Sequence, residues 1–134
     1  MTAQSSEKAQ VRILAIDDAP IVLQTYELLF EGRAETASTV ADGLAKLSAD
    51  PALQVVLVDL NMPDGGGVPL LRTLAERFPE RLVIVLSGDA GALGERERRE
   101  LGVFRCLEKG DASFDVLERT IDEAAAELRR RAGQ

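Results

Sequence analysis

The chain has 134 residues, a net charge of −7, one cysteine and no histidine. Its length predicts a single domain, and its composition, 46% apolar and 29% charged, is typical of a soluble globular protein. These values exclude an internal disulfide, histidine metal ligands and histidine acid–base catalysis, and they disfavour a general attraction to nucleic acid.

The sequence predicts one domain over residues 11–131 between two short tails. Residues 1–10 are polar and are expected to be disordered, and residues 132–134 form a brief C-terminal tail. No apolar stretch approaches membrane-spanning length, and the first ten residues lack the apolar core of a secretory signal. We therefore expect a cytoplasmic protein without membrane contact.

Five short apolar runs alternate with segments of helical periodicity. In chain order, the predicted strands cover residues 11–16, 34–38, 54–58, 82–86 and 103–107. The predicted helices that follow them cover residues 20–32, 40–50, 69–78, 90–101 and 114–128. This alternation predicts an α/β fold with a parallel sheet covered by helices on both faces, but it does not predict the strand order.

The fourth predicted helix, residues 90–101, is the weakest of the five. It contains two glycines and six consecutive charged residues, and only Leu93 and Leu101 could anchor it. Two interpretations stay open, a short charged helix and a mobile switch element.

Polar side chains follow the predicted strands at their C-terminal ends. They are Asp17, Asp18, Asp59, Ser87 and Lys109. In open α/β sheets, ligands bind at this edge. Because three crowded carboxylates repel one another unless a cation lies among them, and because hard oxygen ligands suit Mg²⁺, we expect a magnesium site here.

A carboxylate can attack phosphorus and form an aspartyl-phosphate. The residues therefore predict a Mg²⁺-dependent phosphoryl acceptor, with Asp59 as the nucleophile and Asp17 and Asp18 as metal ligands. Ser87 would donate its hydroxyl to the phosphoryl oxygens, and Lys109 would act as the compensating cation.

The same residues, in the same order, resemble the receiver domain of two-component response regulators over residues 11–131. In that family an acidic pair follows the first strand, the phosphorylated aspartate the third, a serine or threonine the fourth and a lysine the fifth. The matching residues are Asp17-Asp18, Asp59 followed by Met62-Pro63, Ser87 beside Gly88, and Lys109.

The resemblance implies a flavodoxin-like, doubly wound five-stranded sheet in the order 2-1-3-4-5. It implies Mg²⁺ bound by Asp18, Asp59 and the main-chain carbonyl of Asn61, with Asp17 acting through water. A partner histidine kinase or histidine phosphotransfer protein would supply the phosphoryl group. Slow self-dephosphorylation, modulated at Asn61 and Asp89, is the only hydrolysis expected, so the chain is not expected to be an enzyme.

Two positions depart from the family's pattern. The family usually has an aromatic residue three positions before the lysine, and its ring turns inward on phosphorylation, but Cys106 occupies that position here. Phe104 is expected on the opposite face of the strand and is a poor substitute. A proline with a preceding cis peptide normally follows the lysine, whereas Gly110 follows here. Because a cis bond before a non-proline residue costs ~3 kcal/mol, we expect a trans or looser loop.

Three functions stay open. The first is a stand-alone receiver that signals to a downstream protein, without binding nucleic acid itself, through the face formed in the family by the fourth helix, fifth strand and fifth helix. That face would present Arg96, Arg98 and Arg99 with Glu95, Glu97 and Glu100. The second is a degenerate receiver that only docks.

The third function is a phosphatase of the haloacid dehalogenase type. It is disfavoured because Asn61 occupies the position of the general acid. The receiver part of a longer protein would show the same pattern, and the sequence identifies neither the kinase, the output partner nor the oligomeric state.

Overall fold

Strand and helix alternate through the computed structural model, which describes residues 11–62, 67–88, 93–110 and 113–133. The strands are β1 (Arg12–Ile16), β2 (Ala34–Ala37), β3 (Leu53–Asp59), β4 (Leu82–Ser87) and β5 (Val103–Glu108). The helices are α1 (Pro20–Leu29), α2 (Val40–Ala49), α3 (Val68–Arg77), α4 (Glu95–Glu100) and α5 (Phe114–Ala132). None of these described helices is both long and apolar enough to cross a membrane.

The five strands form one parallel sheet in the order β2-β1-β3-β4-β5. This confirms the expected doubly wound, flavodoxin-like architecture. Side chains of α1 and α5 pack on one face of the sheet. Side chains of α2 and α3, with the segments beside α4, pack on the other.

The central strands β3 and β4 are buried on both faces. Val55 and Leu57 belong to one apolar layer, and Val56 and Val58 belong to the other, because successive side chains of a strand point to opposite faces. Both strands extend one residue beyond their predicted ends. Asp59 and Ser87 are therefore the last residues of their strands rather than the first residues after them.

The fourth helix is much shorter than predicted. Only residues 95–100 are helical, and none of them is buried. Leu93, which is 1% exposed, and the half-buried Leu101 attach this segment to the layer of α2 and α3. Residues 90–92, which the prediction included, lie outside the described residues. The structure thus shows a short charged helix.

An extra residue interrupts the pairing of β5 with β4. Val103 pairs with Val83 and Arg105 pairs with Ile84, which leaves Phe104 as a bulge. Phe104 consequently packs with the layer of α1 and α5, whereas Cys106 packs with the opposite layer. The predicted separation of these two side chains is confirmed, but its cause is the bulge, since residues two apart in a regular strand share a face.

The loop that follows β5 has an ordinary backbone. No cis peptide bond occurs among the described residues, so the bond between Lys109 and Gly110 is trans. This agrees with the expectation drawn from the missing proline.

The double-sided burial of β4 can be tested by comparing two isoleucines. Ile84 is 0% exposed, whereas Ile21 on α1 is 75% exposed. We expect Ile84→Ala to lower the free energy of unfolding by about 2–5 kcal/mol, because it leaves a cavity in the core. Ile21→Ala should change that free energy by no more than about 0.5 kcal/mol. Urea denaturation measures both, and equal losses would contradict the described packing.

Candidate functional site

The C-terminal ends of β1, β3, β4 and β5 meet at one edge of the sheet and carry the predicted residues there. Asp17 and Asp18 follow β1, Asp59 ends β3, and Ser87 ends β4. Lys109 follows β5 directly, and its backbone N–H donates to the carbonyl of Ser87 over 2.7 Å. The prediction that these side chains share one edge is thus met by the geometry.

Three carboxylates converge at this edge. One carboxylate oxygen from each of Asp17, Asp18 and Asp59 lies within 4.8 Å of the other two. Asp17 is 1% exposed and Asp59 is 4% exposed, while Asp18 lies at the surface. Two of the three charges are therefore removed from most of their solvent, which strengthens their mutual repulsion.

Lys109 brings a cation to the two buried acids. Its Nζ lies 3.4 Å from Asp59 Oδ2 and 3.6 Å from Asp17 Oδ2. About a third of its side chain remains exposed, at 35%. One ammonium group thus offsets part of the charge of two carboxylates and leaves the cluster net negative.

Backbone amides hold the remaining oxygens of the same two acids. The Ala19 N–H donates to Asp17 Oδ1 over 2.9 Å, and the Asn61 N–H donates to Asp59 Oδ1 over 3.0 Å. In each case the donor lies two residues after the aspartate, which is the geometry of an Asx turn. These amides were not predicted from the sequence, although aspartates at strand ends followed by loop residues are a signal for such turns.

Asp17 retains an unmet acceptor. Its Oδ2 atom is buried and has no hydrogen-bond partner among the described residues, since Lys109 lies beyond hydrogen-bond distance. Burial raises the pKa of this carboxyl above its usual 3.8, and the charges of Asp59 and Asp18 act in the same direction. The Ala19 N–H and Lys109 lower the pKa without reversing the shift.

Tyr26 lies close enough to the acids to be affected by their charge. It is 7% exposed within the layer of α1 and α5. Burial, followed by the charges of Asp17 and Asp59, raises the pKa of Tyr26 to about 12. Tyr26 falls within the helix predicted over residues 20–32, and no motif in the sequence relates its hydroxyl to the site.

The raised pKa of Asp17 predicts a pH-dependent cost to folding. As pH rises above 3.8, the usual pKa of this carboxyl, the unfolded chain loses the proton before the native state does. The native state therefore becomes less stable with rising pH until its own Asp17 carboxyl ionises. We expect Asp17→Asn, in EDTA, to be more stable than wild type at about pH 7 and to lose most of this advantage at about pH 4. Thermal unfolding at both pH values measures the effect.

Asp42→Asn is the matched control for this experiment, because the Asp42 side chain is half exposed on α2 and does not belong to the carboxylate cluster. It should show no comparable gain at neutral pH. A gain for Asp17→Asn that does not change with pH would contradict a buried charge as the cause.

Known proteins resemble this chain in sequence. The family model described as "Response regulator receiver domain" matches residues 13–121. The photosynthetic apparatus regulatory protein RegA of Rhodovulum sulfidophilum is 38% identical over an alignment of 79 residues that covers 57% of this chain and 43% of that protein. The sensor histidine kinase RcsC of Salmonella typhimurium is 34% identical over an alignment of 137 residues that covers 96% of this chain and 14% of that protein.

A solved structure agrees over most of both chains. The response regulator receiver domain protein from Clostridium thermocellum is 28% identical, with a TM-score of 0.79, and the match covers 92% of this chain and 99% of that one. The chain spans less than half the length of either curated relative, 43% of one and 14% of the other. Site geometry, sheet order and family model agree, and we conclude that the chain belongs to the response regulator receiver domain family.

Proposed function

We propose that the chain accepts a phosphoryl group on Asp59 from a partner histidine kinase or histidine phosphotransfer protein. One observation carries the proposal. The Asp59 carboxylate lies at the edge of the sheet with two further carboxylates within 4.8 Å and the Lys109 ammonium at 3.4 Å. Such a nucleophile, with acids beside it to hold a cation and a fixed positive charge, suits phosphoryl transfer.

The transfer would proceed by attack of an Asp59 carboxylate oxygen on phosphorus. A new O–P bond forms while the P–N bond to the donor histidine breaks, and the released imidazole nitrogen takes up a proton. The Asn61 N–H orients the carboxylate through its bond to Oδ1. Lys109 and the hydroxyl of Ser87 would then pair with the phosphoryl oxygens.

The donor set fits Mg²⁺. Hard carboxylate oxygens cluster there, and Asp17 Oδ2 is a buried acceptor with no hydrogen-bond partner among the described residues. Asp18, Asp59 and the main-chain carbonyl of Asn61 would hold the ion, with Asp17 acting through water. When bound, Mg²⁺ would neutralise charge on the phosphoryl oxygens.

Receiver domains are generally signalling modules rather than catalysts, which supports signalling over the phosphatase alternative. The Asn61 side chain is an amide and cannot act as the general acid that rapid hydrolysis requires. Slow self-dephosphorylation is the only hydrolysis that we propose for this chain. Asp89, which was expected to modulate this rate, lies outside the described residues.

Output would pass to a downstream protein through the face of α4, β5 and α5, in the cytoplasm and without direct contact to nucleic acid. Helix α4 supports this part of the proposal because none of its residues is buried. Its ion pairs, Arg96 with Glu100 and Arg99 with Glu95, are both 3.6 Å long and largely solvent exposed. Such exposed pairs contribute little to stability, so a partner can replace them at small cost.

Phosphorylation of Asp59 can be measured by intact mass. Incubation with Mg²⁺ and acetyl phosphate should add one phosphoryl group to the wild type and none to Asp59→Asn, because the nucleophile is absent. Asp42→Asn, which alters an exposed aspartate on α2, is the matched control and should be modified like the wild type. EDTA should abolish the adduct in every sample.

The same samples distinguish the alternatives. Absence of an adduct, together with no rise of the melting temperature on adding Mg²⁺, would favour a receiver that only docks. Multiple turnover of an external phosphoester would instead favour the phosphatase.

A further inference from the structure

A cleft separates α4 from the edge strand β5. Its volume is about 370 Å³. The α4 side contributes Glu95, Arg98 and Arg99, and the strand side contributes residues 103–106. Cys106 occupies part of the floor and is only half buried. Because a thiol is much smaller than an aromatic ring, this position leaves room that a larger side chain would fill.

The cleft is basic although the protein is acidic. Arg98, Arg99 and Arg105 line it against one carboxylate, Glu95, in a chain whose net charge is −7. Arg99 pairs with Glu95 at 3.6 Å, and both side chains are about four-fifths exposed, at 78% and 80%. An exposed pair of this length is weak, so Arg99 remains available to a stronger partner.

Arg105 is held more firmly than Arg99. It contacts Glu123 at 3.3 Å, donates to the Phe104 carbonyl over 2.9 Å, and lies over the Phe104 ring at 4.4 Å. These contacts tie the Arg105 guanidinium to Glu123 of α5 and to the Phe104 ring, which packs with the layer of α1 and α5, so its charge is partly offset there. The two arginines of α4, Arg98 and Arg99, are therefore the charges by which the cleft can select its ligand.

Arg98 has an unmet donor. Its Nε atom is buried and has no hydrogen-bond acceptor among the described residues. Its charge is close enough to act on Cys106, where burial raises the pKa of the thiol and the arginine opposes that rise. An unsatisfied buried donor destabilises the structure, so a ligand that draws this guanidinium towards an acceptor would relieve that cost.

We infer that this cleft binds an acidic segment of a partner protein, with carboxylates paired to Arg98 and Arg99 and an apolar side chain against Cys106. Carboxylates match the forked donors of arginine, and opposite charge steers association and excludes wrong partners. The inference rests on the proposed function in one respect, since the acidic segment would belong to the output partner.

Selection of peptides from a random twelve-residue display library provides the test. Selection against the phosphorylated wild type, with counter-selection on Arg98→Gln/Arg99→Gln, should enrich peptides rich in Asp and Glu. A synthetic enriched peptide should bind the double variant about tenfold or more weakly in fluorescence anisotropy, as expected when charged contacts of about 1.4 kcal/mol are lost. Arg72→Gln, at an exposed arginine on α3 outside the cleft and outside the output face, should bind like the wild type.

Charge reversal separates recognition from a folding defect. Arg98→Glu should lose the acidic peptide and gain affinity for a version in which Lys replaces its acids. Neutral or basic enriched peptides, no enrichment, equal binding to the double variant, or preferential binding of duplex DNA to the cleft arginines would each overturn the inference. Intact mass of the arginine variants keeps the two proposals distinct, because Asp59 should still be phosphorylated when the cleft is altered.

Discussion

Mutual repulsion among Asp17, Asp18 and Asp59 is the constraint on which the functional edge depends. Because β1 and β3 are adjacent parallel strands, their C-terminal ends lie side by side. The acids at these two ends are therefore held close together. Backbone amides hold one oxygen of each buried acid, and Lys109 approaches the other. The repulsion that remains favours a bound cation, which links the fold directly to the proposed chemistry.

The central strands make this crowding possible. Residues 55–58 are almost completely buried between two apolar layers, so the backbone that carries Asp59 is held on both sides. Neighbouring β4 pairs Leu86 with Asp59, which places Ser87 one residue further along at the same edge. Close packing of this kind resists displacement, and a reactive carboxylate at the end of such a strand keeps its position.

The region of α4 and β5 is less closely packed than the central strands. Helix α4 buries none of its residues, β5 contains a bulge, and Cys106 occupies the position where the family usually has an aromatic ring. Helix α4 is attached to the domain through the flanking Leu93 and Leu101. Rigid acids on one side and a loosely attached charged helix on the other suit a domain that receives a chemical signal and presents it to a protein.

The sequence alone determined the fold class and the approximate elements and predicted the candidate site residues, because apolar periodicity and polar residues at strand ends are local features. Asp59 could be selected from residues 55–59 without any knowledge of the sheet. The strand order came only from the resemblance to a family, since local periodicity carries no information on which strands pair.

Tertiary structure decided the contacts between distant residues. The bulge at Phe104 arises from the pairing of β5 with β4. Regular alternation along the strand would instead place Phe104 and Cys106 on the same face. The buried oxygen of Asp17, the proximity of Tyr26 to the acids and the arginine-lined cleft likewise depend on which elements pack together. Burial and charge proximity are properties of the assembled chain, and they set both the electrostatics of the site and the surface proposed for its partner.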